Sequence, residues 1–176
     1  MYSFDAEKVT ENLVNWVKTY FEENASPDTK DVIGISGGKD SSVAAAVCVK
    51  ALGKDRVIGV LMPQGEQSDI SCSHLLVNTL GIKSYTINIG ETVSTFMNEF
   101  SKSLEPTSQA TINTPPRIRM TTLYAVAASV GGRVVNTCNL SEDWVGYSTK
   151  FGDSAGDFSV LADLTVTEVL QVGDLL

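Results

Sequence analysis

The feature that most constrains the fold is a glycine-rich turn between an apolar segment and a helical one. Residues 31–35 predict a short buried strand, Ser36-Gly37-Gly38-Lys39-Asp40 a loop, and residues 41–52 a helix that ends at Gly53. Two adjacent glycines let the backbone turn tightly and approach a ligand closely. A helix that starts directly after such a turn points free amide groups and its positive dipole end at the loop. The unit therefore predicts an anion-binding site.

Strands and helices continue to alternate along the rest of the chain. Further strands are predicted at residues 56–62, 84–89 and 133–137, and further helices at residues 4–24, 71–80, 91–104 and 115–130, and after Asp163 or Thr165. This alternation predicts an α/β fold, a doubly wound, mostly parallel, Rossmann-like sheet with helices on both faces. On such sheets ligands bind beyond the carboxyl ends of the strands, where the strand order reverses.

Length and charge narrow the classes of protein. A chain of 176 residues predicts one compact domain over residues 1–176. Thirteen basic against 21 acidic residues leave a net charge of −8, so we expect neither nucleic acid nor a membrane as partner. The three cysteines and single histidine show no zinc or disulfide spacing, and no apolar run reaches membrane-spanning length. The cytoplasm is the expected compartment.

The polar residues of the glycine-rich turn suit a nucleotide phosphate. Ser36, Ser41 and Ser42 supply hydroxyl groups, Lys39 supplies positive charge, and the carboxylate of Asp40 suits Mg²⁺. The pattern is neither a Walker A loop nor the GxGxxG dinucleotide fingerprint. The alternative is a plain strand-to-helix turn with a solvated Lys-Asp pair.

The segment from Ser36 to Ser42 resembles the SGGxDS pyrophosphate loop of the ATP pyrophosphatases, which have the adenine nucleotide alpha hydrolase-like fold. These enzymes split ATP into AMP and pyrophosphate while activating a substrate as its adenylate. The loop alone leaves NAD, GMP, asparagine and argininosuccinate synthetases and tRNA-thiolating enzymes open.

Two later segments resemble NAD synthetases in particular. Residues 116–125 resemble their RxRM helix, and residues 136–153 resemble their GT-N-SE and G-TKYGD region. The likeness runs in order over nearly the whole chain. It implies conversion of deamido-NAD to NAD, with ATP adenylating the nicotinate carboxylate and ammonia displacing AMP.

The resemblance also implies roles for individual residues. Asp40 and Glu142 are expected to bind Mg²⁺, and Asp40, Lys39 and Lys150 to act in catalysis. Contacts with deamido-NAD are expected from Arg117, Lys150 and Asp157. Contacts with the co-substrate ATP are expected from Gly34, Ile35, Ser36, Gly37, Gly38, Lys39, Asp40, Ser41 and Thr137.

Two positions depart from the family pattern. Asn136 replaces a common glycine, and Val166 replaces a lysine that contacts ATP in many members, which puts that phosphate contact in question. Two other classes of function therefore stay open. One is a tRNA-modifying pyrophosphatase, which the acidic balance and the lack of a cysteine pair disfavour. The other is a noncatalytic nucleotide-binding module, which Val166 and the short chain favour.

The resemblance further implies a homodimer that uses free ammonia, because the chain has no room for a glutaminase domain. A separate glutaminase partner stays open. The chain ends on the apolar pair Leu175-Leu176, whereas ordered termini are more often polar, and members of the family continue beyond this point. We therefore expect a further C-terminal segment that closes over bound substrates.

Overall fold

A computed structural model describes residues 3–176, and it confirms the predicted α/β fold. Within this range five strands form one wholly parallel sheet. The strands are β1 (Lys30–Gly34), β2 (Val57–Leu61), β3 (Lys83–Thr86), β4 (Gly132–Asn136) and β5 (Phe158–Ser159). The helices are α1 (Ala6–Asn24), α2 (Lys39–Leu52), α3 (Ile70–Leu80), α4 (Gly90–Ser101), α5 (Ser108–Val130), α6 (Leu140–Val145) and α7 (Val166–Gly173).

The strand order β3-β2-β1-β4-β5 places the glycine-rich turn at the middle of the sheet. The chain runs outward from β1 to β2 and β3, and then returns to the other side of β1 as β4. The direction of winding therefore reverses between β1 and β4. Because all strands are parallel, the segments that follow β1 and β4 emerge side by side at the same edge.

Alternating side chains of the central strands build two separate cores. Val32, Val60 and Val134 pack with helices α4 and α5 on one face. Ile33, Leu61 and Val135 pack with α1, α2, α3 and α7 on the other. Successive strand residues point to opposite faces, so a strand covered on both sides is mostly apolar. Among residues 3–176, no helix has the length and apolarity needed to cross a membrane.

The start of α5 was predicted wrongly. The helix begins at Ser108 rather than at residue 115, after the N-cap Thr107, whose hydroxyl accepts a hydrogen bond from the Ala110 amide (3.2 Å). Pro115 and Pro116 thus lie inside the helix. Each proline lacks an N–H and leaves one carbonyl of the preceding turn without its helical partner. The residues that carry those carbonyls, at positions 111 and 112, are exposed, so water can replace the lost bonds.

Three short elements were missed, namely α6, β5 and a 3₁₀ turn at Lys54–Arg56, and several boundaries shift. Helix α6 and strand β5 have six and two residues, too few for a visible hydrophobic period. Helix α1 starts at Ala6 rather than at residue 4, because Asp5 accepts the capping hydrogen bond from the Lys8 amide (3.1 Å). Helix α2 starts at Lys39, two residues earlier than predicted.

One carboxyl group is buried in the centre of the sheet without a well-formed hydrogen bond. Asp31 in β1 has no exposed surface, and within residues 3–176 neither side-chain oxygen has a partner in full hydrogen-bond geometry, although the Cys48 thiol lies close enough to act as a weak donor. Burial raises the pKa of Asp31 to about 8, and the nearby Cys48 thiol opposes this with a smaller lowering effect. The folded protein therefore holds Asp31 as a neutral acid at ordinary pH.

We expect Asp31→Asn to remove a pH-dependent loss of stability. The pKa of Asp31 is about 8 in the folded state and about 3.8 in the unfolded state. The stabilisation of the folded state by the neutral carboxyl group is therefore complete below pH 4 and is lost as the pH rises through 8. The loss is up to about 1.4 kcal/mol per pH unit. Urea unfolding from pH 5 to 9 measures it, with Asp28→Asn at an exposed carboxylate as control. Parallel curves for the wild type and Asp31→Asn would contradict the assignment.

Candidate active site

The glycine-rich loop (residues 35–38) is held in shape by serine hydroxyl groups. The Ser41 hydroxyl donates to the Gly38 carbonyl (3.1 Å), accepts from the Ser36 amide (3.3 Å) and lies 3.1 Å from the Ser36 hydroxyl. The Ser36 hydroxyl also accepts from the Gly38 amide (3.2 Å). Ser41 is buried, whereas Ser36 and Gly38 are exposed. Ser41 thus has a structural role, and the Ser36 and Gly38 amides are already bonded within the loop, so their predicted contacts with ATP stay predictions.

Gly37 lets the loop pack directly against helix α3. Its φ of 81° lies in the left-handed region, and a Cβ there would be 2.9 Å from the Cys72 Cβ and 3.0 Å from the Ser73 amide nitrogen. Ser73 in turn donates a buried hydrogen bond to the Ile35 carbonyl (3.3 Å). The side chain of Ile35 belongs to the core and its amide donates to the Val60 carbonyl (2.9 Å), so its predicted contact with ATP stays a prediction.

Lys39 and Asp40 form an ion pair in the first turn of α2. The Lys39 ammonium lies 2.6 Å from Asp40 Oδ2. The other oxygen, Oδ1, accepts a hydrogen bond from the Asn139 amide (Nδ2) at 3.1 Å. The negative charge of Asp40 is favourable at this end of the helix. Lys39 therefore faces the carboxylate in this structure, and its predicted contact with ATP stays a prediction.

The segment after β4 brings Glu142 to the same edge. Asn139 Oδ1 accepts from the amides of Ser141 (3.0 Å) and Glu142 (3.2 Å), and Glu142 Oε2 accepts from the Asn139 amide (3.0 Å). This reciprocal capping box begins α6 and fixes the Glu142 side chain. Asp40 and Glu142, the two predicted magnesium ligands, thus both bond to Asn139.

The donor set at this edge fits Mg²⁺. Carboxylate oxygens are hard ligands, and Mg²⁺ usually takes one or two of them together with substrate phosphates. Residues 3–176 contain no cluster of three or more acidic, histidine or cysteine side chains that could hold a metal by itself. A pair of carboxylates beside a phosphate-binding loop matches the mode that Mg²⁺ prefers, so Asp40 and Glu142 would hold it.

Arg117 and Lys150 form a second, exposed group. Arg117 Nε on α5 donates to the Lys150 carbonyl (3.3 Å), and the Lys150 ammonium lies 5.1 Å from the centre of the Phe151 ring. Phe151 is 66% exposed and has a left-handed φ of 58°, which is uncommon for a bulky residue. Both cations are exposed and available to an anionic ligand.

Asp157 is separate from these cations and has a structural role. Its carboxylate accepts from the Val134 amide (2.7 Å) and the Tyr124 hydroxyl (3.2 Å), and its own amide donates to the Val134 carbonyl (2.7 Å). It therefore holds β5 against β4. Tyr124 and Arg117 are seven residues apart on α5, about 10 Å along the helix. The structure does not pair Asp157 with Arg117 or Lys150.

The two departures from the family pattern have visible consequences. Asn136 donates to the Asp153 carbonyl (3.0 Å) and accepts from the Cys138 amide (2.8 Å), so it ties the end of β4 to the turn at residues 149–153. The Val166 amide donates to the Ser141 hydroxyl (3.2 Å), which places the start of α7 beside α6. Thr137, half-buried, directly follows β4.

Sequence reasoning missed two residues at this edge. Asn139 was only part of a motif, although Asn-x-x-Glu is the signal of a capping box. Arg119 is half-buried, and its Nε donates to the Met62 carbonyl at the end of β2 (3.2 Å). Burial lowers the pKa of Arg119, and the Asp153 carboxylate opposes this. Nothing in the sequence indicates this contact, because 57 residues separate its partners.

Comparisons with known proteins show that this chain is similar to NAD synthases. The NAD synthase family model matches residues 9–176. The NH(3)-dependent NAD(+) synthetase of Pyrococcus furiosus is 39% identical over 176 residues, which are all of this chain and 65% of that protein. The chain therefore spans slightly less than two thirds of that relative.

Two solved structures have similar folds. The NMN synthetase of Francisella tularensis has a TM-score of 0.89 and 31% identity, covering 98% of this chain and 71% of that one. The NH3-dependent NAD synthetase of Campylobacter jejuni has a TM-score of 0.89 and 28% identity, covering 98% of this chain and 74% of that one.

We expect Gly37→Ala to weaken both the fold and ATP binding. A left-handed alanine costs about 1–2 kcal/mol, and overlap with Cys72 and the Ser73 backbone adds about 1–3 kcal/mol. Gly131→Ala is the matched control, since Gly131 also has a left-handed φ (67°) but nothing within 4 Å of an added Cβ. Urea unfolding and calorimetric ATP titration should show the larger loss for Gly37→Ala. Equal losses in the two variants would exclude close packing as the reason for this glycine.

Proposed function

Because this chain belongs to the NAD synthase family, we propose that it amidates deamido-NAD to NAD with ATP and ammonia, releasing AMP and pyrophosphate. The observation that carries the proposal is that the segments after β1 and β4 lie side by side and share hydrogen bonds. The glycine-rich loop after β1 and the capping box after β4 bring Asp40 and Glu142 to one buried residue, Asn139, whose side-chain amide bonds the Asp40 carboxylate and whose backbone amide bonds the Glu142 carboxylate. This arrangement combines an anion-binding loop with two hard oxygen ligands at one edge of the sheet.

The proposed chemistry needs an activated carboxylate. A nicotinate carboxylate is a poor electrophile, so one of its oxygens attacks the α-phosphate of ATP and pyrophosphate leaves. The amino end of α2, with its positive dipole end, is proposed to stabilise the charge that develops on the departing oxygens. Mg²⁺, which Asp40 and Glu142 would hold, neutralises phosphate charge when bound. Ammonia then attacks the acyl adenylate and AMP leaves, so no protein nucleophile is required.

The second substrate is proposed to bind along Arg117 and Lys150. A dinucleotide diphosphate and a carboxylate both favour charge-assisted hydrogen bonds, and these two cations are exposed at one place on the surface. Asp157 stays a predicted contact, although its carboxylate already accepts two hydrogen bonds. Lys39, now paired with Asp40, is proposed to turn toward phosphate when ATP binds.

The family also supports three proposals about the setting of the reaction. We propose that the protein works as a homodimer in the cytoplasm and takes free ammonia, with a separate glutaminase as an untested alternative.

The chain's similarity to an NMN synthetase makes nicotinate mononucleotide a second candidate substrate. Both candidates carry the same reacting carboxylate, so the chemistry at Asp40 and Glu142 is the same for each.

One assay separates these functions. The protein is incubated with Mg²⁺-ATP and ammonium chloride, and with deamido-NAD or nicotinate mononucleotide in parallel, and the products are resolved by chromatography. NAD, AMP and pyrophosphate in equal amounts support the proposal, whereas amidation of the mononucleotide alone would move the assignment to the second substrate. ATP binding without any turnover would favour a noncatalytic module.

Asp40→Asn should lower kcat at least about 100-fold with little loss of stability. The change removes a charge that would hold Mg²⁺, but it breaks only a partly exposed ion pair, worth about 1 kcal/mol or less. Turnover at saturating Mg²⁺ and urea unfolding test the two halves of this expectation. Asp163→Asn, at an exposed position, is the control. Near-normal turnover by Asp40→Asn would reject Asp40 as a metal ligand.

Lys150→Ala and Arg117→Ala should each raise the KM for deamido-NAD more than the KM for ATP. A lost charge-assisted contact costs about 1.5–3 kcal/mol, or roughly 10-fold or more in binding. Lys102→Ala, which removes an exposed lysine paired only with Glu99, serves as the control. A higher KM for ATP with an unchanged KM for deamido-NAD would reverse the assigned roles.

A further inference from the structure

We infer that Asn139 is a positioning residue, a buried amide that sets the carboxylates of Asp40 and Glu142 relative to each other. The inference rests on the proposed function, because it concerns the same Mg²⁺-ATP site. Asn139 has no exposed surface, so its side chain does not contact substrate in this structure. Its effect would pass through the two carboxylates that it bonds.

The hydrogen bonds of Asn139 form a bridge between two distant segments. Its Nδ2 donates to Asp40 Oδ1, across 99 residues of sequence. Its Oδ1 accepts from two amides of α6, and its backbone amide donates to Glu142 Oε2. One residue thus holds the first turn of α2 on one side and the first turn of α6 on the other.

The choice of asparagine is explained by Asp40 and not by the cap. A helix N-cap needs only a side-chain acceptor, and Ser, Thr, Asp and Asn all supply one. Helix α7 has the same kind of capping box with Thr165, and α1 uses Asp5. Among these four N-cap residues, when Asp is ionised, only asparagine accepts at one side-chain atom and donates at another. The donor that capping leaves unused is the one that reaches Asp40.

Two side chains, those of Lys39 and Asn139, hold the Asp40 carboxylate at its two oxygens. Lys39 contacts Oδ2 and Asn139 contacts Oδ1, so the group is oriented before any ligand binds. If Lys39 turns toward phosphate, Asn139 is left as the residue that keeps Asp40 in place. A carboxylate that is already oriented loses less conformational freedom when it binds a metal ion, which favours tighter metal binding.

Asn139→Ser separates the bridge from the cap, because serine keeps the capping acceptor and loses the donor that reaches Asp40. Asn139→Thr is the second variant, since threonine caps α7 in the same protein. Asp5→Ser replaces an N-cap that has no hydrogen bond to Asp40 and is the matched control. Mn²⁺ is the probe, titrated by electron paramagnetic resonance with and without ATP, and thermal unfolding is measured in parallel.

We expect Asn139→Ser and Asn139→Thr to weaken Mn²⁺ binding in the presence of ATP by about 10-fold, with melting temperatures similar to that of Asp5→Ser. In an Asp40→Ala background, Asn139→Ser should have no further effect on Mn²⁺ affinity. Unchanged Mn²⁺ affinity in folded Asn139 variants, or a full additional loss in the Asp40→Ala background, would overturn the inference. Failure of the wild type to bind Mn²⁺ with ATP would instead overturn the proposed function.

Discussion

Parallel pairing of β1 with β4 is the constraint on which the candidate site depends. The pairing aligns Lys30 with Gly132 and Val32 with Val134, so both strands end at the same level of the sheet. The glycine-rich loop and the segment that leads into α6 then leave the sheet side by side. Without this register Asn139 would not reach Asp40, and the two carboxylates would have no common partner.

Local geometry also explains how the proposed site could bind an anion in an acidic protein. The net charge of −8 repels phosphate on average. The amino end of α2, directly after the loop, instead supplies positive potential over a short range. Arg117 and Lys150 add two cations at a second place, where the turn at residues 149–153 meets α5. A nucleotide would therefore be recognised by the local placement of these positive groups and not by the overall charge of the protein.

The sheet that positions the candidate site also contains a buried carboxyl group that lowers stability as the pH rises. Asp31 is a carboxyl group without a well-formed hydrogen bond in the central strand of the sheet, and burial raises its pKa to about 8. It lies at the amino end of β1, whereas the glycine-rich loop follows the carboxyl end. The structure gives it no contact with the site, and within the described residues nothing explains why an aspartate occupies this position.

The sequence by itself determined the alternation of strands and helices and the glycine-rich turn, because hydrophobic period and glycine conformation act within a few residues. It also placed Asp40, Glu142, Arg117 and Lys150 in motifs whose family roles no contact in the structure yet tests. Tertiary structure alone decided that α5 starts before its two prolines, that two residues form β5, and that Arg119 reaches the end of β2. It also decided that Asn139 joins α2 to α6, while Asp157 is bonded into the sheet away from Arg117 and Lys150. These features depend on contacts between residues tens of positions apart, and strand register, which no local pattern encodes, sets which of those residues meet.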